Sequence, residues 1–373
     1  MPTAHEVANL AQLAEFDEVI DVRTPSEFAE DRVPGAVNRP VLSDEERAHV
    51  GTLYNQVSAF TGRKVGAALV SRNIAQHIET AFSENPKNWR PLIYCWRGSK
   101  RSAAMVHILR EIGWDAHRLE GGYKAYRRAV AAELPQLAQR FRFRVVCGLT
   151  GSGKSRLLSA LHAAGGQVLD LETLAAHRGS VLGNLPDLPQ PAQKMFESRI
   201  WWCLRSLDPK RPVFVESESK RIGTLHVPEA LMTSMWQGEC VQVRTAATAR
   251  VELLKDEYAH FLADPAALGT QLDRLVPLHG HEVIERWKTM AQNAEWDVIV
   301  RELLERHYDP AYTRAILAHY PGLQRAQTVE IASYCDESFA NAARALLEES
   351  LVSKPHPHPR PPLEGEGTSV EVF

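Results

Sequence analysis

Short apolar runs bounded by turn residues alternate with amphipathic stretches over the first two thirds of the chain. Glu18-Val19-Ile20-Asp21-Val22 reads as a strand after an opening helix, and the polar turn Thr24-Pro25-Ser26-Glu27-Phe28 starts a second helix. Residues 33–40, VPGAVNRP, carry two prolines and read as a loop; 43–84 form a long polar helical stretch. The breaker-rich NPKNWRP then precedes a strand at Leu92-Ile93-Tyr94 and a helix from about Arg101 to Ile112. This alternation predicts a compact parallel α/β domain.

A helical connector, about 123–139, leads to Arg140–Cys147, where basic and apolar residues alternate as in a strand. GLTGSGKS, a helix and the strand QVLDL follow and open a second parallel α/β domain. A helix at 191–207 and strands at 212–216 and 239–245 continue it, and 246–350 reads as nearly all helical. The predicted division is 1–139, 140–353 and a disordered tail, 354–373, which holds five of the 22 prolines.

Composition narrows the class. Of 373 residues 44% are hydrophobic and 24% charged, which supports sizeable cores and excludes disorder along the whole length. A net charge of -3 does not advertise a nucleic-acid binder, so any such surface must be local. The five cysteines form no C-x-x-C pair, which argues against a disulfide framework and a zinc ribbon. The start lacks the basic and apolar segments of a signal peptide, and no run is long enough to span a bilayer; a cytoplasmic setting is expected.

Two loops carry candidate chemistry. Cys95 follows a strand and precedes a helix start, with Arg97, Gly98, Ser99, Lys100 and Arg101 beside it. Backbone N–H groups and cations there lower a thiol pKa and receive an anion. The segments DVRTPSEFAEDRVPGAVNRP (21–40), YCWRGSKRS (94–102) and LEGGYKAYR (119–127) resemble the rhodanese domain. That resemblance implies a cysteine accepting sulfur or selenium, with Asp21 and Arg23 bracing the fold and Gly121-Gly122 forming a turn. The C-x5-R spacing from Cys95 to Arg101 is also that of cysteine phosphatases, so the loop could admit a phosphate-bearing donor.

The second loop, Gly148 to Ser155, fits G-x-x-x-x-G-K-[ST] between a strand and a helix. Gly148, Thr150, Gly151, Ser152 and Gly153 would turn their N–H groups toward a diphosphate; Lys154 would neutralise it, and Ser155 could ligate Mg2+. Glu216, ending the strand Val213–Glu216, and Asp170 are candidate carboxylates, with Glu218 as an alternative. Arg244 and Arg250 could close over phosphates. The motif itself does not choose between adenine, guanine and other diphosphates.

A rhodanese domain followed by a phosphate-loop domain resembles the tRNA 2-selenouridine synthase family; DLETLAAHRGSVLG (170–183), VFVESESKRIG (213–223) and HYDPAYTRAI (307–316) add to the resemblance. It implies a transferase acting on the wobble uridine of tRNA. A 2-thio group is alkylated from geranyl diphosphate, and the geranylthio group is then replaced by selenium from selenophosphate, carried on Cys95. No tightly bound cofactor is expected. The helix at 191–207, with Met195, Phe196, Trp201, Trp202 and Leu204, could line a prenyl groove, although core packing explains it as well. Arg140, Arg142 and Arg144, with Lys210-Arg211 and Lys220-Arg221, could contact RNA phosphates. A sulfurtransferase with a nucleotide-binding regulatory or kinase module is the alternative.

Overall fold

A computed structural model describes residues 6–352; the predicted tail at 354–373 lies outside the described residues. The N-terminal part contains β1 (Val7–Ala8), β2 (Glu18–Asp21), α1 (Pro25–Glu30), β3 (Val37–Asn38), α2 (Asp44–Thr52) and α3 (Ala59–Thr80). It continues with β4 (Pro91–Tyr94), α4 (Lys100–Ile112), β5 (His117–Leu119) and α5 (Gly122–Arg140). The five strands form one parallel sheet in the order β1-β5-β4-β2-β3. Helix α1 starts where Thr24 and Glu27 cap each other reciprocally. Within the loop expected at 33–40, Val37 and Asn38 pair with Ile20 and Asp21, too short a stretch to betray itself by alternation.

The second part begins with β6 (Phe143–Cys147), α6 (Lys154–Ala163), β7 (Gln167–Leu169), α7 (Leu171–Ala175), α8 (Gln193–Ser206) and β8 (Val213–Glu216). A small antiparallel pair, β9 (Arg221–Ile222) and β10 (Leu225–His226), precedes α9 (Glu229–Trp236) and β11 (Glu239–Thr245). The helical region comprises α10 (Ala247–Glu257), α11 (Ala259–Ala263), α12 (Pro265–Leu272), α13 (Val276–His279), α14 (His281–Gln292), α15 (Trp296–Leu303) and α16 (Asp309–His319). One strand interrupts it, β12 (Gln327–Ile331), before α17 (Asp336–Val352). β12 pairs in parallel with β11 and completes a second parallel sheet, β12-β11-β6-β8-β7. The nearly all-helical expectation for 246–350 missed this strand: Gln327 to Ile331 gain their stability from a partner more than 80 residues earlier in sequence, which local pattern does not report.

The two sheets share one hydrophobic core. Helix α5 lays Tyr126, Val130 and Leu134 against α8 and α9; Tyr126 meets Trp201 edge to face at 5.6 Å. Trp201 Nε1 donates to Glu133 at 3.0 Å, and Arg127 pairs with Glu197 across the same seam. Met195, Phe196, Trp201 and Leu204 are thus buried core residues, while Trp202 is 41% exposed. The α8 stripe holds the domains together and lines no groove.

The basic residues expected on one strand face are divided. Arg140 ends α5, and Arg142 Nη2 donates to Lys210 O at 3.3 Å. Arg144 turns inward to Leu346 O, Ser350 Oγ and Gln327 Oε1 at 3.1, 2.6 and 2.8 Å. Its guanidinium fastens α17 to the sheet and is not free to meet RNA. Arg211 Nη2 donates to Gly165 O at 2.6 Å, and Arg221 caps its own turn at Gly223 O.

Candidate functional site

Cys95 leaves the buried end of β4 and is 2% exposed, lying at the floor of the loop that leads into α4. The Ser99 N–H donates to its sulfur at 3.3 Å, and Ser102 Oγ lies 3.3 Å from it. Burial opposes ionisation, but hydrogen bonds from Ser102 and from the Ser99 and Ser102 backbone, with the Arg101 charge, outweigh it. The thiol is held below its ordinary value. Arg97, Ser99 and Lys100 are exposed around the rim, whereas Arg101 is half-buried and bound to Glu27 Oε2 at 3.0 Å. Glu27 caps α1 and positions Arg101 together, a role its place in a polar turn did not reveal.

The glycine turn lies directly under this loop. Tyr123 N donates to Cys95 O and Lys124 N to Trp96 O, both at 2.9 Å. Asp21 and Arg23 are buried and bidentate; Arg23 also donates to Asp31 O at 2.6 Å and stacks 3.9 Å over the Tyr123 ring. They support the loop from beneath and do not face the thiol's opening.

In the second domain the loop between β6 and α6 wraps the N-terminus of α6. Gly153 has a φ of +85°, and a Cβ there would strike the Phe339 ring at 2.6 Å, so only glycine fits this turn. The Gly148 N–H donates to Tyr312 Oη at 2.7 Å, and Lys154 Nζ donates back to Gly148 O at 2.9 Å. Ser155 Oγ donates to Glu172 Oε2 at 3.0 Å. Thr150, Gly151, Gly153, Lys154 and Ser155 line a cavity of about 720 Å³, while Ser152 is buried beneath the turn.

Glu172 and Glu218 line the cavity with this lysine, and Glu216 lies buried behind them. Glu216 Oε1 accepts the Glu172 N–H at 2.8 Å, while its buried Oε2 has no partner. Burial, with the charges of Asp170, Glu172 and Glu218, pushes the Glu216 carboxyl far up. Burial and the Glu172 charge push Glu218 up to about 8, and burial also raises Glu172 against the pull of Lys154. Asp170 lines the cavity, but both its oxygens are taken by Thr173, as the N-cap of α7. The Ser155–Glu172 pair, both lining the cavity, suits a hard cation beside a diphosphate, whereas Glu216, expected as a site carboxylate, is buried outside the lining. Among the described residues no three His, Cys, Asp or Glu side chains form a metal site, so Ser155, phosphate oxygens and water would complete its shell.

Apolar and aromatic side chains also line the cavity. Met232, Trp236, Ile316 and Tyr320 are among them, with His319 stacked 5.0 Å from Trp236, Tyr320 Oη donating to Glu218 O at 3.2 Å, and Lys154 Nζ 5.4 Å from the Tyr312 ring. Arg178 and Lys220 reach the rim, Lys220 lying 5.2 Å over the Trp236 ring. Arg250, expected to close over phosphates, is buried: Nε donates to Thr150 O at 2.9 Å and the guanidinium pairs with Asp309. It fixes the loop from behind. Arg244 is exposed on β11 and does not line the cavity. Glu172, Tyr312 and Trp236 escaped sequence reasoning as site residues. Glu172 stands two places after Asp170, and Tyr312 lies within the 307–316 segment, so position in those segments was the available signal.

Comparison with known proteins agrees with this layout. Residues 3–129 match the rhodanese-like domain, and 141–273 match the tRNA 2-selenouridine synthase AAA domain. A tRNA 2-selenouridine synthase of Nitrosomonas europaea is 34% identical over 69% of this chain and 67% of its own length. One from Sulfurovum sp. is 33% identical over 79% of this chain and 87% of its own, and one from Salmonella newport is 36% identical over 64% and 65%. With both domains matched in order and most of a relative's length covered, the chain belongs to the tRNA 2-selenouridine synthase family.

Proposed function

We propose that the enzyme converts 2-thiouridine at the wobble position of tRNA to 2-selenouridine in two steps, with geranyl diphosphate and selenophosphate as co-substrates. The observation that carries this reading is the cavity itself, which is lined both by the phosphate loop and by Met232, Trp236, Ile316 and Tyr320. That pairing suits a diphosphate joined to a hydrocarbon chain better than one joined to a nucleoside.

In the first step the 2-thio sulfur attacks C1 of the prenyl chain. The C1–O bond breaks with its electrons going to diphosphate, and N3 of the base gives up its proton. Lys154 and the loop N–H groups stabilise the departing charge. A bound Mg2+ would add to that neutralisation. In the second step the selenium of selenophosphate attacks C2 of the base, and the C2–S bond breaks so that geranylthiolate, a far better leaving group than sulfide, departs and takes up a proton. Water cleaves the P–Se bond to release phosphate. Cys95 would stand at the floor of the donor's pocket, with Arg97, Gly98, Ser99, Lys100 and Arg101 shaping it for the anion. The setting is taken to be the cytoplasm, where thiolated tRNA is found; no helix among the described residues is long and apolar enough to cross a membrane.

Purified enzyme, thiolated tRNA and geranyl diphosphate test the first step by mass spectrometry of nucleosides. S-geranyl-2-thiouridine is expected, and Lys154→Ala should abolish it. Geranylation that survives in Lys154→Ala, with loss of nucleotide binding, would overturn the assignment of the loop.

A further inference from the structure

The projecting α2–α3 hairpin has no part in either loop, yet its surface is unlike the rest of the chain. Tyr54, Val57 and Phe60 at its tip are 50%, 65% and 65% exposed. Phe60, Lys64, Ala68 and Arg72 recur every fourth residue along one exposed ridge of α3. From Arg47 to Ile78 no Asp or Glu occurs, whereas 46 acids in 373 residues would place about four there. The tip is built, not frayed. A Cβ on Gly62 would fall 2.8 Å from Tyr54 Cα, so the two arms touch backbone to backbone there, and Gly66 packs against the Val50 side chain.

Its position relates it to the thiol. Helix α3 is 22 residues long, about 33 Å. It joins the body core from Leu69 onward, so its first turns overhang the sheet. The far end of α3 leads back to the start of β4; the overhang is therefore at the end of the sheet where β4 delivers Cys95. The base of the hairpin is tied to the cysteine loop by two contacts. Ser26 Oγ donates to Asp44 at 2.5 Å, and the adjacent Glu27 binds Arg101 at 3.0 Å.

We infer that this hairpin tip is the docking surface for a single-stranded RNA loop, with Tyr54 and Phe60 as stacking platforms for unpaired bases and Lys64, Arg63 and Arg72 on the phosphates. Exposed rings interleaved with cations and free of acids are the chemistry that receives unstacked bases. The inference rests on the reading of tRNA as substrate and names the part of the protein that grips the loop bearing the reacting uridine.

Fluorescence anisotropy with labelled, thiolated tRNA and its isolated anticodon stem-loop tests it on the full-length protein. Replacing Tyr54 and Phe60 together by Ser should weaken both probes by about 10-fold or more. Phe60→Tyr should retain affinity, and Lys64→Glu with Arg72→Glu should flatten the salt dependence. Photo-crosslinking of wild-type protein to a 4-thiouridine-substituted stem-loop should label peptides spanning 54–64. Unchanged affinity in the folded Ser variant, or labels confined elsewhere, overturns the docking site while leaving tRNA as substrate. A change of oligomeric state with unchanged tRNA affinity assigns the tip to protein contact and overturns it too. Failure of wild-type protein to bind either probe overturns the site together with the substrate reading.

Discussion

Gly122 touches Cys95 through the backbone: a Cβ built on Gly122 would stand 2.2 Å from the Cys95 carbonyl oxygen and 2.3 Å from the Gly98 nitrogen. With a φ of +57°, the position is also left-handed, so an L side chain is excluded twice. Gly122→Ala should cost about 1–3 kcal/mol in urea unfolding and slow Cys95 alkylation by deforming its loop. The Lys154-dependent geranylation proposed for the other domain should persist.

The thiol's own hydrogen bonds give a pH test. Because donation from Ser102 and Ser99 outweighs burial, iodoacetamide alkylation of Cys95 should inflect below the ordinary thiol value. Ser102→Ala should move that inflection upward and reduce the thiolate fraction at pH 7. No upward movement would show that Ser102 does not hold the thiolate.

Arg250 joins the phosphate loop to the helical region. Asp309→Ala would leave this buried guanidinium with Thr150 O alone, at a cost of about 1–3 kcal/mol. The same variant should raise KM for geranyl diphosphate more than it lowers kcat, because the loop is displaced and its lysine retained. Steady-state kinetics beside urea unfolding checks both.

Glu218 makes stability fall as pH rises. Its carboxyl titrates at about 8 when folded, mainly through burial, against 4.5 when unprotected. Between those values the folded state holds a proton that the unfolded state has released. The full contribution is therefore present below pH 4.5 and declines up to about 8. Glu218→Gln should gain stability relative to wild type as pH is raised from 5 to 8, measured by denaturant melts. Parallel curves would contradict the burial of this acid.

Much of the architecture was legible because the signals were local. The segments around Cys95 and from Gly148 to Ser155 are contiguous, and strand before, turn and helix after can be read within a dozen residues. Long-range pairings were not legible. β12 exists through β11, Arg144 through α17, and Tyr312 reaches Gly148 across 164 residues. Arg250 looked like a solvent-facing cation because its partner, Asp309, lies 59 residues later. Trp201 and its neighbours could serve a groove or a core; the choice depended on α5 lying against them. The α2–α3 hairpin read as one long helix because residues 53–57 continue α2 as a helical turn and the break falls on a single extended residue, Ser58, which caps α3.

Nucleoside analysis of tRNA from a strain lacking the gene, supplied with selenium and complemented with wild type, Cys95→Ser or Lys154→Ala, tests the central claim most directly. The account predicts 2-selenouridine with wild type only, S-geranyl-2-thiouridine accumulating with Cys95→Ser, and unmodified 2-thiouridine with Lys154→Ala. Formation of 2-selenouridine without the gene, or undiminished with Cys95→Ser, would contradict it.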